Sequence, residues 1–226
     1  MPPNAPAYDL VVFDLDGTLA DTLRSIAEAM NAVLREEKLP EHPVEAYRRF
    51  AGDGAAWLVK RATGHRFNED AAKVAELLQR FRERDEKTDE QFALPYDGVL
   101  PMLDRLRSAG LTLAVLSNKE QDEAVALCDR LFGPERFREV VGHDGRWPLK
   151  PDPTGLMAMI QRCGATPART AYVGDTDTDM RTGRSAGAFT VGCSWGFRDA
   201  DELRATGADV LIDSPGELGA ALGLTA

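Results

Sequence analysis

The sequence predicts an α/β protein, a doubly wound (Rossmann-like) parallel sheet core with an inserted all-helical domain. Three observations predict it. An apolar run near the start, Leu10-Val11-Val12-Phe13, leads directly into Asp14-Leu15-Asp16-Gly17-Thr18. From about residue 93 onward, short apolar runs alternate with helical patterns, as in consecutive βαβ units. Between the two lies a stretch that is helical in pattern throughout. The expected organisation is therefore a core of residues 1–19 and 93–226 with a helical insertion over 20–92. An insertion after the first strand would sit over the carboxyl ends of the strands, where it could close on a substrate and exclude water.

The elements follow in order. Residues 10–14 form a buried strand. Asp21 or Thr22 caps a helix whose apolar stripe includes Ile26, Met30, Val33 and Leu34. Pro40 and Pro43 interrupt it. Two further helices are expected over 53–63 and 69–85. The second has Val74, Leu77, Leu78 and Phe81 at helical spacing, and its charged remainder is expected to face solvent. The pattern changes at Leu94-Pro95-Tyr96-Asp97-Gly98. Helix 99–109 then ends at Gly110, strand 111–116 follows, and helix 119–131 comes next. Shorter strands are expected near 139–142, 170–173, 188–192 and 209–212, with helices near 153–163 and 178–186. Residues 219–226 read as a short helix or tail.

Bulk properties narrow the partners. The 226-residue chain carries 37 acidic and 27 basic residues, a formal net charge of −10. That balance argues against a nucleic-acid backbone or an anionic membrane as the main partner. It leaves room for a small phosphorylated metabolite, because one metal ion can reverse a local field. Cys128, Cys163 and Cys193 lack CxxC spacing and read as buried free thiols in a reducing compartment. Met1 to Ala7 has neither the basic segment nor the apolar core of a signal peptide. No apolar stretch is long enough to span a bilayer. A cytoplasmic location is expected, as a monomer or homodimer. His42, His65 and His143 are scattered and read as incidental surface or loop residues.

Four polar clusters fall at predicted strand ends, where open parallel sheets place their ligands. They are Asp14 and Asp16, Ser117-Asn118-Lys119, Lys150-Pro151-Asp152, and Gly174-Asp175 with Asp177 and Asp179. Asp14 and Asp16 repel each other unless a cation or shared proton offsets the charge. Mg²⁺ beside a phosphoryl group would suit them. Together the clusters supply acidic ligands, a hydroxyl, an amide and a cation, the inventory of phosphoryl transfer. Asp152 reads as a cap for the helix beginning near Pro153, and Asp177 as a solvated turn carboxylate.

These motifs resemble those of the haloacid dehalogenase superfamily, in its phosphoglycolate phosphatase-like branch with a helical (C1-type) cap. Phe13-Asp14-Leu15-Asp16-Gly17-Thr18-Leu19 matches the first motif, Leu116-Ser117-Asn118-Lys119 the second, Lys150-Pro151 the third, and Gly174-Asp175 with Asp179 the fourth. Ala186-Gly187-Ala188, Trp195-Gly196-Phe197 and Ala208-Asp209 extend the similarity. The insertion resembles the family's cap by position and helical pattern.

The resemblance implies a Mg²⁺-dependent phosphatase acting on a small organic phosphomonoester of the phosphoglycolate type. It implies that Asp14 attacks phosphorus and that Asp16 serves as acid and then base. Mg²⁺ would be held by Asp14, the Asp16 carbonyl, Asp175 and Asp179, the last either ligating or holding metal-bound water. Ser117, the Asn118 amide, Lys119 and Lys150 would face the phosphoryl group, and Thr18 would fix the first loop. For Lys119, a place at a helix start is an equal reading. In the insertion, Arg48, Arg49, Gly52, Asp53 and Gly54 are candidates for leaving-group selection, with a capped helix start beside a solvated charged face as the alternative.

The same core could serve a phosphomutase of the beta-phosphoglucomutase kind or a pyrophosphatase. Dehalogenases lack the second acid, which Asp16 supplies. A phosphorylation-dependent binding or switch module would use a similar sheet, but would lack the helical insertion. An inactive scaffold is at odds with four intact motifs.

Overall fold

The computed structural model describes residues 7–224. Residues 1–6, in which no signal peptide is expected, and the last two residues of the expected tail lie outside the described residues. The chain opens with β1 (Leu10–Phe13), followed by a tight turn and the two-residue strand β2 (Ala20–Asp21). Four helices come next: α1 (Leu23–Glu36), α2 (Tyr47–Phe50), α3 (Ala55–Ala62) and α4 (Ala71–Phe92). Strand β3 (Leu94–Pro95) then pairs antiparallel with β2, so the helical block enters and leaves the core through one two-stranded hinge.

The remainder alternates as expected. It comprises α5 (Val99–Ser108), β4 (Thr112–Glu120), α6 (Gln121–Phe132), β5 (Glu139–His143) and α7 (Thr154–Arg162). Then come β6 (Thr170–Gly174), α8 (Asp177–Ala186), β7 (Phe189–Cys193), α9 (Ala200–Thr206), β8 (Val210–Ile212) and α10 (Leu218–Ala221). Six strands form one parallel sheet in the order β5-β4-β1-β6-β7-β8. β1 lies in the middle, with Val12 opposite Ala114 on one side and Tyr172 on the other.

Strand periodicity explains the two-sided burial. Val11 and Phe13 join α5, α6 and α10 in one apolar layer, whereas Leu10 and Val12 join α7 and α8 in another. The helical block has its own core, in which Met30, Val33, Leu34, Tyr47, Val59 and Leu77 are fully buried. Phe197, from the loop after β7, packs into that same cluster.

Several expectations are corrected. Thr22 stands at the start of α1 but makes no side-chain cap bond, and Asp21 belongs to β2. Helix α4 runs on to Phe92, because no breaker follows Phe81 and its buried face continues as Asp85 and Asp89 at four-residue spacing. Those two carboxylates are buried rather than solvated. Lys119 lies on extended backbone, since β4 continues to Glu120 and α6 starts at Gln121. Helix α9 was not foreseen; it is short and buries only Leu203, so it leaves no apolar stripe to read. Its start is capped by Asp199, which accepts from the Glu202 N–H at 2.9 Å.

Candidate active site

The site is assembled at the carboxyl ends of β1, β4 and β6 and on the loop before α7. Hydrogen bonds from the N–H groups of Thr18, Leu19 and Ala20 to the Leu15 carbonyl fold the chain back just after β1. Gly17 has φ +84°, and a Cβ there would lie 2.2 Å from Asp175 Oδ2. Only glycine lets this turn pass so close to the fourth motif. Thr18 Oγ1 donates to Asp175 Oδ1 at 2.6 Å, and the Phe197 N–H donates to Asp175 Oδ2 at 2.7 Å.

Asp14 is buried and receives the Leu15 N–H at 2.7 Å and Lys150 Nζ at 2.8 Å, both on Oδ1. Lys150 Nζ also meets Asp179 Oδ1 at 2.7 Å. Asp179 accepts further hydrogen bonds from Tyr172 Oη at 3.1 Å, the Thr176 N–H at 3.0 Å and Thr176 Oγ1 at 2.7 Å. Thr176 caps α8, so the cap that starts this helix also orients Asp179.

Asp14, Asp175 and Asp179 each offer an oxygen within 4.8 Å of the others, and all three are buried. Burial pushes the Asp14 carboxyl well above the usual range, with Asp179 adding to it and Lys150 pulling back. Burial and Asp179 together raise Asp175 to about 7. Lys150 is raised despite its burial, because Asp14 and Asp179 hold its proton. One cation thus stands among three carboxylates. The excess negative charge, carried entirely by hard oxygen donors, fits a divalent cation such as Mg²⁺.

Ser117 and Asn118 are buried at the end of β4. The Asn118 side chain receives the Lys150 N–H at 2.8 Å and donates to the carbonyls of Lys150 and Gly52, each at 3.1 Å. It therefore holds the Lys150 loop and the helical block together. Asp16, Ser117 and Asn118 line a cavity of about 60 Å³ beside Asp14, which Gly52, Gly54, Leu58 and Phe81 close from the helical block.

The structure thus gathers Asp14, Asp16, Thr18, Ser117, Asn118, Lys150, Asp175 and Asp179. Lys119 lines the cavity too, but its Nζ is committed to Asp85 at 2.7 Å and Asp89 at 2.9 Å, with Asp16 at 3.8 Å. Its Nζ thereby stitches the core to α4. Gly52 and Gly54 line the cavity, whereas Arg48, Arg49 and Asp53 do not. Arg48 binds Glu45 and the Gly196 carbonyl; Arg49 binds Glu202 and Asp199. Asp53 pairs with Arg61 and accepts from Thr178 Oγ1 at 2.8 Å. These side chains dock the helical block onto the core.

Three lesser readings also change. His42 is a packing residue of the helical block, with Nε2 2.8 Å from the Ala62 carbonyl and its ring edge-on to Tyr47 and Phe50. Asp177 is the first residue of α8 and pairs with Arg181. Asp152 accepts the Thr154 N–H at 2.9 Å, as a cap would, although Pro153 holds the cap position. Residues that sequence reasoning missed include Tyr172, Thr176, Phe197, Asp85 and Asp89. The first three sat in view beside the fourth motif or at a strand end, but their partners come from elsewhere in the chain.

A family model described as haloacid dehalogenase-like hydrolase matches residues 11–193. A phosphoglycolate phosphatase of Pseudomonas putida is 32% identical, over 96% of this chain and 82% of that relative. An N-acetylmuramic acid 6-phosphate phosphatase of Pseudomonas aeruginosa is 33% identical, over 92% of each chain. A crystal structure from Lactobacillus delbrueckii subsp. bulgaricus superposes with a TM-score of 0.90 at 25% identity, covering 96% of this chain and 98% of the other. The chain belongs to the haloacid dehalogenase-like hydrolases and is a phosphoglycolate phosphatase-like member of them.

Proposed function

We propose that this haloacid dehalogenase-like phosphatase hydrolyses a small organic phosphomonoester through an aspartyl-phosphate on Asp14, with Mg²⁺ as cofactor. The observation that supports this most is the environment of Asp14. Both of its hydrogen bonds fall on Oδ1, which leaves Oδ2 for attack on phosphorus, and Lys150 offsets its charge. Attack by a carboxylate splits a difficult hydrolysis into two easier displacements. Asp16 lies two residues on, at the edge of the cavity. There it can protonate the departing alkoxide and then take a proton from the water that cleaves the acyl phosphate. Ser117 Oγ and the Asn118 N–H would donate to phosphoryl oxygens.

Asp14, the Asp16 carbonyl and Asp175 would hold Mg²⁺, which when bound supplies positive charge against the phosphoryl oxygens. Asp179 already accepts four hydrogen bonds, about as many as a carboxylate can take. It therefore supports Lys150 and the metal site from outside. The helical block acts as the cap over the reaction.

The cavity beside Asp14, walled by Gly52, Gly54, Leu58 and Phe81, would receive the leaving group. Phosphoglycolate, the substrate in one relative's name, is the small ester to try first. Phosphate release from small esters, with and without Mg²⁺, tests this reading. Turnover is expected only with Mg²⁺ and is expected to vanish in Asp14→Asn. Full turnover by that variant would defeat the assignment.

A further inference from the structure

Helix α2 ends beside the cavity, and the carbonyls of a helix's last turn have no partner within the helix. Here side chains take them. Arg61, from the helical block itself, donates to the carbonyls of Arg49 at 3.5 Å and Phe50 at 3.0 Å. Arg198, from the loop after β7, donates Nη1 to the Arg48 carbonyl and Nη2 to the Ala51 carbonyl, the latter at 2.9 Å. Asn118 takes the next carbonyl, that of Gly52. The carbonyls of residues 48–52 thus all end on side-chain donors, and those of Arg48, Ala51 and Gly52 are held from the core. Ala51, Gly52 and Gly54 line the cavity, so the position of this backbone shapes the cavity wall.

Arg198 is 6% exposed. Its Nε lies 3.3 Å from Glu202 Oε1 and 3.9 Å from Asp177 Oδ1, both on the core, which orient the guanidinium from its other edge. Its planar fork reaches two carbonyls at once, as a lysine's single nitrogen would not. The fit is close: a Cβ on Gly52 would stand 3.3 Å from Arg198 Nη2. The same segment also faces Asp175. The Phe197 N–H donates to Asp175 Oδ2 at 2.7 Å, and the Arg198 N–H donates to the Asp175 carbonyl at 3.3 Å. Arg48 in turn donates to the Gly196 carbonyl. Residues 196–198 therefore touch the end of α2 and Asp175 together.

We propose that Arg198 is a positioning residue for the reaction. Its guanidinium seats residues 48–52 over the cavity, and its backbone makes that seating respond to a metal ion on Asp175. This rests on the phosphatase reading and adds the contact that closes the cap. Hydrogen bonds from a guanidinium are charge-assisted, and losing the pair is expected to loosen the seated loop by about 10–100-fold. Coupling between two sites is reciprocal, so a metal ion that binds better under a seated loop also seats the loop.

Limited trypsin digestion reads the seating, because Arg48 and Arg49 are cleavage sites that core partners tie down when the loop is seated. In metal-free protein, Arg198→Met is expected to be cut after Arg48 and Arg49 about tenfold faster or more. Cutting after Arg107, in the last turn of α5, is expected to keep its wild-type rate. Mg²⁺ alone is expected to slow cutting after Arg48 and Arg49, relative to Arg107, in the wild type and not in the variant. With phosphoglycolate, KM of Arg198→Met is expected to rise about tenfold while kcat changes less, since substrate binding must then supply the seating. Arg198→Lys keeps the charge beside Glu202 but loses the fork, and is expected to fall between the two. Wild-type cutting in both variants, cutting after Arg107 that quickens equally, a loss confined to kcat, or no Mg²⁺ protection in the wild type would overturn the proposal. A wild type that hydrolyses no ester would instead remove the phosphatase reading, and the digestion would still decide the role of Arg198.

Discussion

At the scale of single residues, the site depends on side chains that hold other side chains. Thr18 donates to Asp175 and so fixes one oxygen of a carboxylate whose pKa burial raises. Replacing it by valine keeps the shape and removes that donor. The Mg²⁺ concentration for half-maximal turnover of Thr18→Val is expected to rise roughly 10–100-fold, the usual effect of losing an outer-shell partner; an unchanged requirement would argue against Asp175 as a ligand. The acidic residues and Lys150 were readable because carboxylates at strand ends are costly without a reason to be there. Thr176 and Tyr172 were not, since their role exists only once α8 and β6 bring them to Asp179. Arg48 and Arg49 misled for the opposite reason: a cation in a sequence carries no sign of the carboxylate that will occupy it.

At the scale of elements, the periodicity of strands and helices located nearly every core element, and errors gathered where polar groups are buried. Helix α4 reads as amphipathic over 69–85, with its charged face in solvent. In the folded protein Phe81, Asp85 and Asp89 share one buried face, because Lys119 at the end of β4 meets both carboxylates. Ser25 on α1 also donates to Asp89. Removing the cation strands these charges. Lys119→Met is expected to lower unfolding stability in urea by about 3–5 kcal/mol, and Lys119→Met with Asp85→Leu and Asp89→Leu to recover much of it. A single variant as stable as the wild type would show that the cluster adds no net cohesion between β4 and α4. The loop after β7 links the same two parts differently. Phe197 packs its ring in the helical block while its N–H holds Asp175, so the packing of the helical block and the position of Asp175 share one residue.

At the scale of the whole molecule, cap and core meet through acidic groups, and this predicts how stability follows pH. Burial raises Asp85 to about 7 despite the pull of Lys119, and it raises Glu123 to about 7 as well. Between an unfolded carboxylate's range and pH 7 the folded chain holds the extra protons. Each group's contribution is therefore complete at acid pH and fades as pH rises through about 7. Metal-free wild type is expected to lose Tm relative to Asp85→Asn between pH 5 and pH 8; parallel Tm curves would contradict it. The molecule's central claim is that Asp14 carries the phosphoryl group. In Asp16→Asn, p-nitrophenyl phosphate still has a leaving group that needs no proton, but the water of the second step has lost its base. Phosphoenzyme should then accumulate. Acid quench of that reaction in Mg²⁺, followed by peptide mass spectrometry, is predicted to find phosphate on Asp14; phosphate on another residue, or turnover with none on the protein, would contradict the account.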